Sequence, residues 1–401
     1  MISYLQHIPL WELVLLGAFL VLFLYQVYFL FRYMWLRTKA GEKHQEPVAP
    51  SAPRTNKPHL IQLDLFAPTV KGVSVIVSAR NEALNLKPFL QALLEQDYPL
   101  FEVIVVNDGS EDDTQEVLDA YMVKYRRLKL TFVPKGARVI SSKKLALTLA
   151  VKAARYDYLL FTDADCRPES KYWIRDMVQG FEENEQAEIV LGYGAYFATK
   201  GHVSRLTQYE TLTTGLQYMG FARAGRPYMG VGRNLAYKKD LFVRNHGFAS
   251  FAGEKAGDDD LFVNHMATPS NTTVVNTPES ITWSLPKSSF DAWYQQRKRH
   301  LSVSPLYTPK TKFLLALEPI CRGLFYALLV VLMVVTAWPV KVAIGGVYLL
   351  RLLLQYGVLA RGARLLRGER VPLLSLAWFD VALPVLTLLL LSSPRKRNQY
   401  W

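Results

Sequence analysis

Asp163, Ala164 and Asp165 directly follow an apolar run at residues 158–162. Side chains alternate along a strand, so both carboxylates leave its end toward the same side, with Ala164 between them. Two hard oxygen donors at such a point suit Mg²⁺ or Mn²⁺, whose remaining positions substrate phosphates would fill. A bare Asp-x-Asp also reads as a solvated acidic loop, so its weight comes from its company. Asp108 closes another apolar run and is followed by Gly109 and Ser110, a turn that lets backbone approach a ligand. Its carboxylate could accept the imide N–H of uracil, or simply belong to the cap of the next helix, a role that suits Asp112 or Asp113 better. Asn81 and Glu82, after a third run at 73–77, could address a base or ribose. Lys143 and Lys144 open a helical pattern, where a cation is locally unfavourable unless a pyrophosphate binds at that end; a solvated lysine pair is the plain alternative. Gly257, Asp258, Asp259 and Asp260 crowd three carboxylates before an apolar segment. Acids are common at helix starts, but crowding raises carboxylate pKa values and equips one of them as a general base. Finally, Trp293, Gln296, Arg297, Lys298, Arg299 and His300 form an aromatic and basic segment, suited either to lipid headgroups or to a leaving diphosphate.

The elements that must position these residues follow from hydrophobic periodicity. Runs at 73–77, 101–106 and 158–162 are buried-type strands. Helical patterns reaching Leu94, following Thr114 and spanning 143–154 separate them. Strands alternating with helices imply an α/β fold with a mainly parallel sheet and right-handed crossovers. Such sheets bind ligands beyond the carboxyl ends of their strands, where Asn81, Asp108 and Asp163 fall.

Half of the chain is hydrophobic and its net charge is +13, with the basic excess beside apolar stretches. This points to a membrane protein facing anionic lipid headgroups and argues against nucleic acid as partner. Two cysteines, Cys166 and Cys321, provide neither a disulfide framework nor a metal knuckle. Residues 13–31 carry no charge and are followed by Arg32, Arg37, Lys39 and Lys43, which reads as a spanning helix with its C-terminal end inside. Two or three further spans are expected within 323–340, 342–360 and 371–393. Three crossings would leave Arg395, Lys396 and Arg397 outside, against the positive-inside tendency. The segment 342–360, with Arg351 and the trailing Arg361, Arg364 and Arg367, is therefore the candidate for an interfacial helix. The Pro-rich stretch 41–58 reads as a tether.

In this order and spacing the motifs resemble the membrane-attached glycosyltransferases of family 2, over roughly residues 70–300. The resemblance implies a GT-A fold: an anchor at 1–35, a linker at 36–66, a catalytic domain at 67–310 and transmembrane or interfacial helices at 311–401. Residues 73–82, including Ala79, Asn81 and Glu82, are similar to the first strand and nucleotide loop. The segment 107–110, with Asp108, resembles the base-binding segment, and Asp163-Ala164-Asp165 the metal motif. Residues 143–147 look like the Lys-x-x-Ala-Leu stretch near the diphosphate, with Thr148 where Asn is frequent. Gly230 to Asn234 resembles the acceptor-side glycine loop, which brings in Gly232 and Asn234. The family's Glu-Asp pair appears as Gly257-Asp258, making Asp258 the expected base and Asp259 the second choice. Its Gln-x-x-Arg-Trp appears as Gln296, Arg299 and His300. His300 in place of the Trp that stacks on a growing chain favours single transfer over processive synthesis. The expected activity is metal-dependent, inverting transfer from a nucleotide-diphosphate sugar, UDP-linked, to a lipid-linked or membrane-presented acceptor. The expected location is the plasma membrane, multi-pass, with the catalytic domain cytoplasmic. A glycan-exporting polysaccharide synthase and a non-catalytic nucleotide-sugar sensor are the alternatives.

Overall fold

The computed structural model describes residues 9–33, 36, 70–133, 142–254, 256–368 and 372–392. The linker beyond Leu36, with the basic residues Arg37, Lys39 and Lys43, and the tail with Arg395, Lys396 and Arg397 lie outside them. Helix α1 (Leu10–Tyr33) comes first. The α/β units follow: β1 (Val73–Ala79), α2 (Ala83–Leu94), β2 (Phe101–Asn107), α3 (Thr114–Lys124), β3 (Leu128–Phe132), α4 (Ser142–Ala153) and β4 (Tyr158–Asp163). Short elements come next: β5 (Cys166–Pro168), α5 (Trp173–Glu182), β6 (Ile189–Leu191) and β7 (Gly194–Tyr196). Then follow α6 (His202–Arg223), β8 (Leu235–Lys238), α7 (Lys239–Arg244), α8 (Asp260–Met266), β9 (Thr272–Val274), β10 (Thr282–Ser284) and α9 (Phe290–Leu301). Three long helices end the described chain: α10 (Pro309–Val335), α11 (Trp338–Leu365) and α12 (Leu373–Ser392).

The main sheet has the order β3-β2-β1-β4-β8-β6-β9, parallel from β3 to β4, with β8 antiparallel to both neighbours. The expected strands are present, longer by one or two residues, and so are the helices, α4 shifted by one residue from the expected 143–154. Alternation explains why the first strands are apolar throughout: helices cover both sheet faces. In β1, Val73, Val75, Val77 and Ala79 join the core with Leu86 and Leu90 of α2 and Trp173 and Met177 of α5. Ile76 points the other way, into the core with Ala146 and Ala150 of α4. In β4, Leu159 and Phe161 share that α4 side, so the same parity delivers Asp163 next to the start of α4. The chain leaves β1 toward β2 on one side and returns to β4 on the other, which opens the topological crevice between β1 and β4. A second sheet, β5-β10-β7, continues directly from the metal-motif loop.

Among the described residues four helices, α1, α10, α11 and α12, are long and apolar enough to cross a membrane, so all three C-terminal segments qualify. The expectation that 342–360 presents Arg351 to lipid headgroups is corrected. Arg351 is 2% exposed and donates to Asp380 of α12 at 2.7 Å and to Gln26 of α1 at 3.0 Å. Asp380, fully buried, also accepts from Arg322 (3.0 Å) and Tyr326 (2.6 Å) of α10 and from Gln355 of α11 (2.8 Å). Glu318 pairs with Arg322 one turn away at 2.8 Å. Two arginines and two acids thus balance inside the bundle, the arrangement that makes ionic side chains tolerable there. Arg367 likewise turns away from headgroups, pairing with Glu169 and Glu279 of the α/β domain.

Removing one member should expose the imbalance. Asp380→Ala is expected to lower stability by about 3–5 kcal/mol, because two guanidiniums lose their shared partner. Adding Arg351→Met should recover part of that loss, since Arg322 keeps Glu318. Unfolding followed in detergent checks both, and equal stability of the single variant and the parent would contradict the account.

Candidate active site

The crevice at the carboxyl ends of β1 and β4 is lined by Ser78, Lys143, Asp163, Gly232, Asp258 and Asp259, among others. Its centre is Lys143, the second residue of α4. The Nζ atom lies 3.1 Å from Asp163 Oδ1 and 3.0 Å from Asp258 Oδ2, so one ammonium touches both the metal-motif carboxylate and the expected base. Burial opposes this charge, but Asp163, Asp258 and Asp259 outweigh it and hold Lys143 well above the ordinary lysine value. Burial likewise pushes Asp163 up, yet Lys143, Arg233 and Arg299 keep its carboxyl below the usual range. Burial and the charge of Asp163 push Asp165 up. The two carboxylates are thereby shifted in opposite directions, Asp163 down and Asp165 up.

Ligand atoms of Asp163, Asp165 and Cys166 lie within 4.8 Å of one another. Burial, then Asp165 and Asp163, push the Cys166 thiol well above its ordinary value, so it stays protonated and is a poor ligand. What remains is a pair of carboxylate oxygens, a donor set that fits Mg²⁺ or Mn²⁺ and not a thiolate zinc site.

The three consecutive aspartates divide their work. Asp259 caps α8 and has both oxygens engaged, Oδ1 by the amide of Asp260 at 2.8 Å and Oδ2 by the amide of Gly232 at 2.6 Å. This disfavours it as the base and gives it the task of holding the glycine loop. Asp260 accepts from the amide of Leu261 and from the Tyr307 hydroxyl, both at 2.7 Å. Asp258 faces Lys143. Where the family carries glutamate, Gly257 has φ +92° and a Cβ there would meet Leu261 Cδ1 at 2.5 Å, so the backbone of this turn accounts for the departure.

Lys144 is no part of a phosphate site. It is fully buried and donates to the carbonyls of Phe251 (2.9 Å), Glu254 (2.6 Å) and Ala256 (2.7 Å), pinning the loop that delivers Asp258. Asn234 is corrected as an acceptor-side residue. It is fully buried, donates to the carbonyls of Tyr193 and Ser280, and accepts from the Trp173 indole. Its neighbour Arg233, which sequence reasoning passed over, lies within electrostatic reach of both Asp163 and Asp165 and stacks 4.1 Å from the Tyr196 ring. An arginine inside the glycine loop was the available signal.

On the nucleotide side, Asn81 adopts φ +55° and its Oδ1 accepts from the amide of Glu111 at 2.8 Å, tying the loop after β1 to the loop after β2. Asp108 is buried, and its amide donates to the Ala79 carbonyl at 2.9 Å. Ala79 and Ala164 are themselves buried, so any contribution from them comes through backbone. Burial pushes Glu82 up, as do Asp165 and Asp163, against the hydrogen bond from Asn85. Helix α9 supplies Gln296, whose amide lies 3.4 Å from the Tyr196 hydroxyl. It also carries Arg299, which acts on Asp163, and His300, in the field of Arg299, Arg297, Arg233 and Lys143.

The aspartate cluster predicts a pH dependence. Burial and the charge of Asp259 push Asp260 up to about 8, against the Tyr307 hydrogen bond. Its unfolded value is about 4. The folded chain therefore binds this proton more tightly, and the stability it contributes is present below about pH 4 and lost as pH rises through about 8. Melting temperature measured from pH 5 to 9 should fall less steeply in Asp260→Asn than in the parent; parallel curves would contradict the assignment.

Comparison with known proteins agrees with this fold. Residues 74–245 match the model of glycosyl transferase family 2. A probable glycosyltransferase of Bacillus subtilis is 27% identical over 235 residues, which are 57% of this chain and 54% of that protein. A poly-β-1,6-N-acetyl-D-glucosamine synthase of Staphylococcus epidermidis is 29% identical over 125 residues, 31% of this chain and 28% of that one. The chain thus spans about half, or less, of the length of these curated relatives. Among solved structures, a mannosyltransferase of Pyrobaculum calidifontis in complex with GDP-Man and Mn²⁺ superposes with a TM-score of 0.57 at 19% identity, covering 94% of this chain and 96% of that one, a likeness of fold. With its Asp-x-Asp motif and its crevice at the β1/β4 switch, the chain is similar over residues 74–245 to glycosyl transferase family 2 and has the GT-A fold.

Proposed function

We propose that the protein transfers a sugar from a UDP-linked donor, with inversion, to a lipid-linked or membrane-presented acceptor, using Mg²⁺ or Mn²⁺. The observation that carries this reading is the Lys143 ammonium touching Asp163 and Asp258 at once, since metal motif and base then share one cleft. When bound, the divalent cation held by Asp163 and Asp165 would screen the diphosphate charge. The protein's own residues do the rest. Asp258 accepts the proton of the acceptor hydroxyl as that oxygen forms its bond to the anomeric carbon. The bond from that carbon to the diphosphate oxygen breaks on the opposite face, and the nucleoside diphosphate departs with the electron pair. Lys143 and Arg299 supply positive charge where negative charge accumulates. Asp108 and Asn81 lie where they would address the base and ribose. A single base and one displacement invert the configuration, in contrast to the paired carboxylates of retaining hydrolysis.

The membrane-side acceptor is supported by a short connection. Tyr307, hydrogen-bonded to Asp260, stands two residues before α10 begins, and the next amide, Thr308, donates to Asn264 of α8 at 2.9 Å. Asp260, two residues after the proposed base, is therefore tied to the segment that opens the first C-terminal apolar helix, which places the cleft near a substrate held in the bilayer. The charges following α1 favour a catalytic domain in the cytoplasm, where nucleotide sugars are made, and the membrane of this proposal is the plasma membrane. Processive synthesis is the second reading, favoured by the similarity to a polysaccharide synthase and opposed by His300 at the stacking position. A sensor would have no use for Asp258.

Asp258→Asn should lower turnover by about 10²–10⁴ while nucleotide binding, read by calorimetry, persists. Retained turnover in this variant together with loss in Asp259→Asn would move the base to Asp259. Product length separates the two transfer modes, a single added sugar supporting the first reading and a ladder the second.

A further inference from the structure

Helix α9 carries Gln296, Arg299 and His300 to the cleft, and its contact with β7 through Gln296 and Tyr196 is a long 3.4 Å bond. A stronger grip lies on another face. The indole N–H of Trp293 donates to Glu210 Oε2 at 3.0 Å, and Arg297 Nη1 meets Glu210 Oε1 at 2.6 Å. Trp293 and Arg297 are four residues apart and share one face of α9. Both oxygens of one carboxylate on α6 therefore fix the helix in rotation as well as in distance. Gln296 and His300 follow on the adjoining face, with Arg299 further round, so a small rotation of α9 moves all three relative to Asp163. Glu210 is largely shielded, its side chain 13% exposed, and the Arg297 Nε atom is buried with no partner among the described residues. Loss of the carboxylate would leave a mostly buried guanidinium without its anion.

The residue before Glu210 faces elsewhere. Tyr209 packs 5.3 Å from the Phe379 ring of α12, and its hydroxyl lies 3.5 Å from the Gln355 amide, a member of the Asp380 network. Adjacent residues of α6 thus meet the apolar bundle and the helix that serves the cleft.

We propose that Glu210 is a positioning residue of the donor site: its carboxylate sets the rotation of α9, and with it the reach of Arg299 toward the diphosphate, from a helix that the membrane bundle holds in place. This rests on the donor-site reading above. The test uses the full chain in detergent as parent, Glu210→Ala, Glu210→Gln and Trp293→Phe. Binding of UDP with Mn²⁺ and of uridine is read by calorimetry, and amide hydrogen exchange over residues 290–301 is followed alongside. Glu210→Ala should weaken UDP binding about tenfold, the equivalent of about 1.4 kcal/mol, and speed exchange in α9, while uridine, lacking phosphates, binds as before. Glu210→Gln, which still accepts a hydrogen bond, should recover part of the affinity, and Trp293→Phe, which removes one hydrogen bond, should show a smaller loss in the same direction. Unchanged UDP affinity despite faster exchange in α9, or equal losses for UDP and uridine, would overturn the proposal. A parent chain that binds no UDP would instead overturn the donor-site reading, and this inference with it.

Discussion

A single ammonium shared by two carboxylates organises the catalytic cleft. Lys143 reaches Asp163, at the end of β4, and Asp258, in the turn before α8, from the first turn of α4. Those elements are far apart in sequence, and each brings a charge that would be costly to desolvate alone. Around the same point stand Asp165, Asp259 and Asp260 on one side and Arg233 and Arg299 on the other. Burial is the leading cause of the raised Asp165, Asp259 and Asp260 carboxyls, and the excess of acids over cations adds to it. A divalent cation arriving with a diphosphate, as proposed above, would change both sides of this balance.

The rest of the fold keeps that cluster in register. Lys144, next to Lys143, ties the loop before Asp258 to α4 through three carbonyls, and Asp259 ties the glycine loop to α8. Beyond the cleft, α6 lies between the α/β domain and the apolar helices. Its Phe221 ring sits 5.7 Å from Phe29 of α1, and Leu216 crowds Gly362 of α11. The Asp380 network then joins α10, α11 and α12 by ion pairs and reaches α1 by the hydrogen bond from Arg351 to Gln26, contacts with little water to compete with them in a bilayer. Apolar bundle and catalytic domain are thus one packed unit, with the aspartate cluster attached to α10 through Tyr307.

Much of this was legible in the residue pattern because local signals and tertiary demands coincide in the first half of the domain. The runs at 73–77, 101–106 and 158–162 are buried on both faces and bounded by turn residues, so strand, polarity and ligand edge could all be read from them. The second half gave less. β5, β6, β7, β9 and β10 are three residues each, too short for any period to register. Helix α6 has little amphipathic contrast because domain and bundle cover different faces of it. Individual polar roles were the least legible. Asn234 and Lys144 look like ligand-binding residues by type and motif, but both are consumed by buried backbone carbonyls, and Arg351 looks interfacial until Asp380 of another helix is brought against it. Sequence gives the side chain, whereas its partner is set by packing.

In the proposed function Asp163 and Asp165 would hold a divalent cation beside the diphosphate; because the Lys143 ammonium already lies 3.1 Å from Asp163, that cation should bind more tightly once a diphosphate is present. Mn²⁺ binding, followed by the loss of its free-ion electron paramagnetic signal, tests this most directly when measured with and without UDP. The account predicts weak Mn²⁺ binding alone, marked tightening with UDP, and loss of that tightening in Asp163→Asn. Equal Mn²⁺ affinity with and without UDP, or tightening that survives Asp163→Asn, would contradict it.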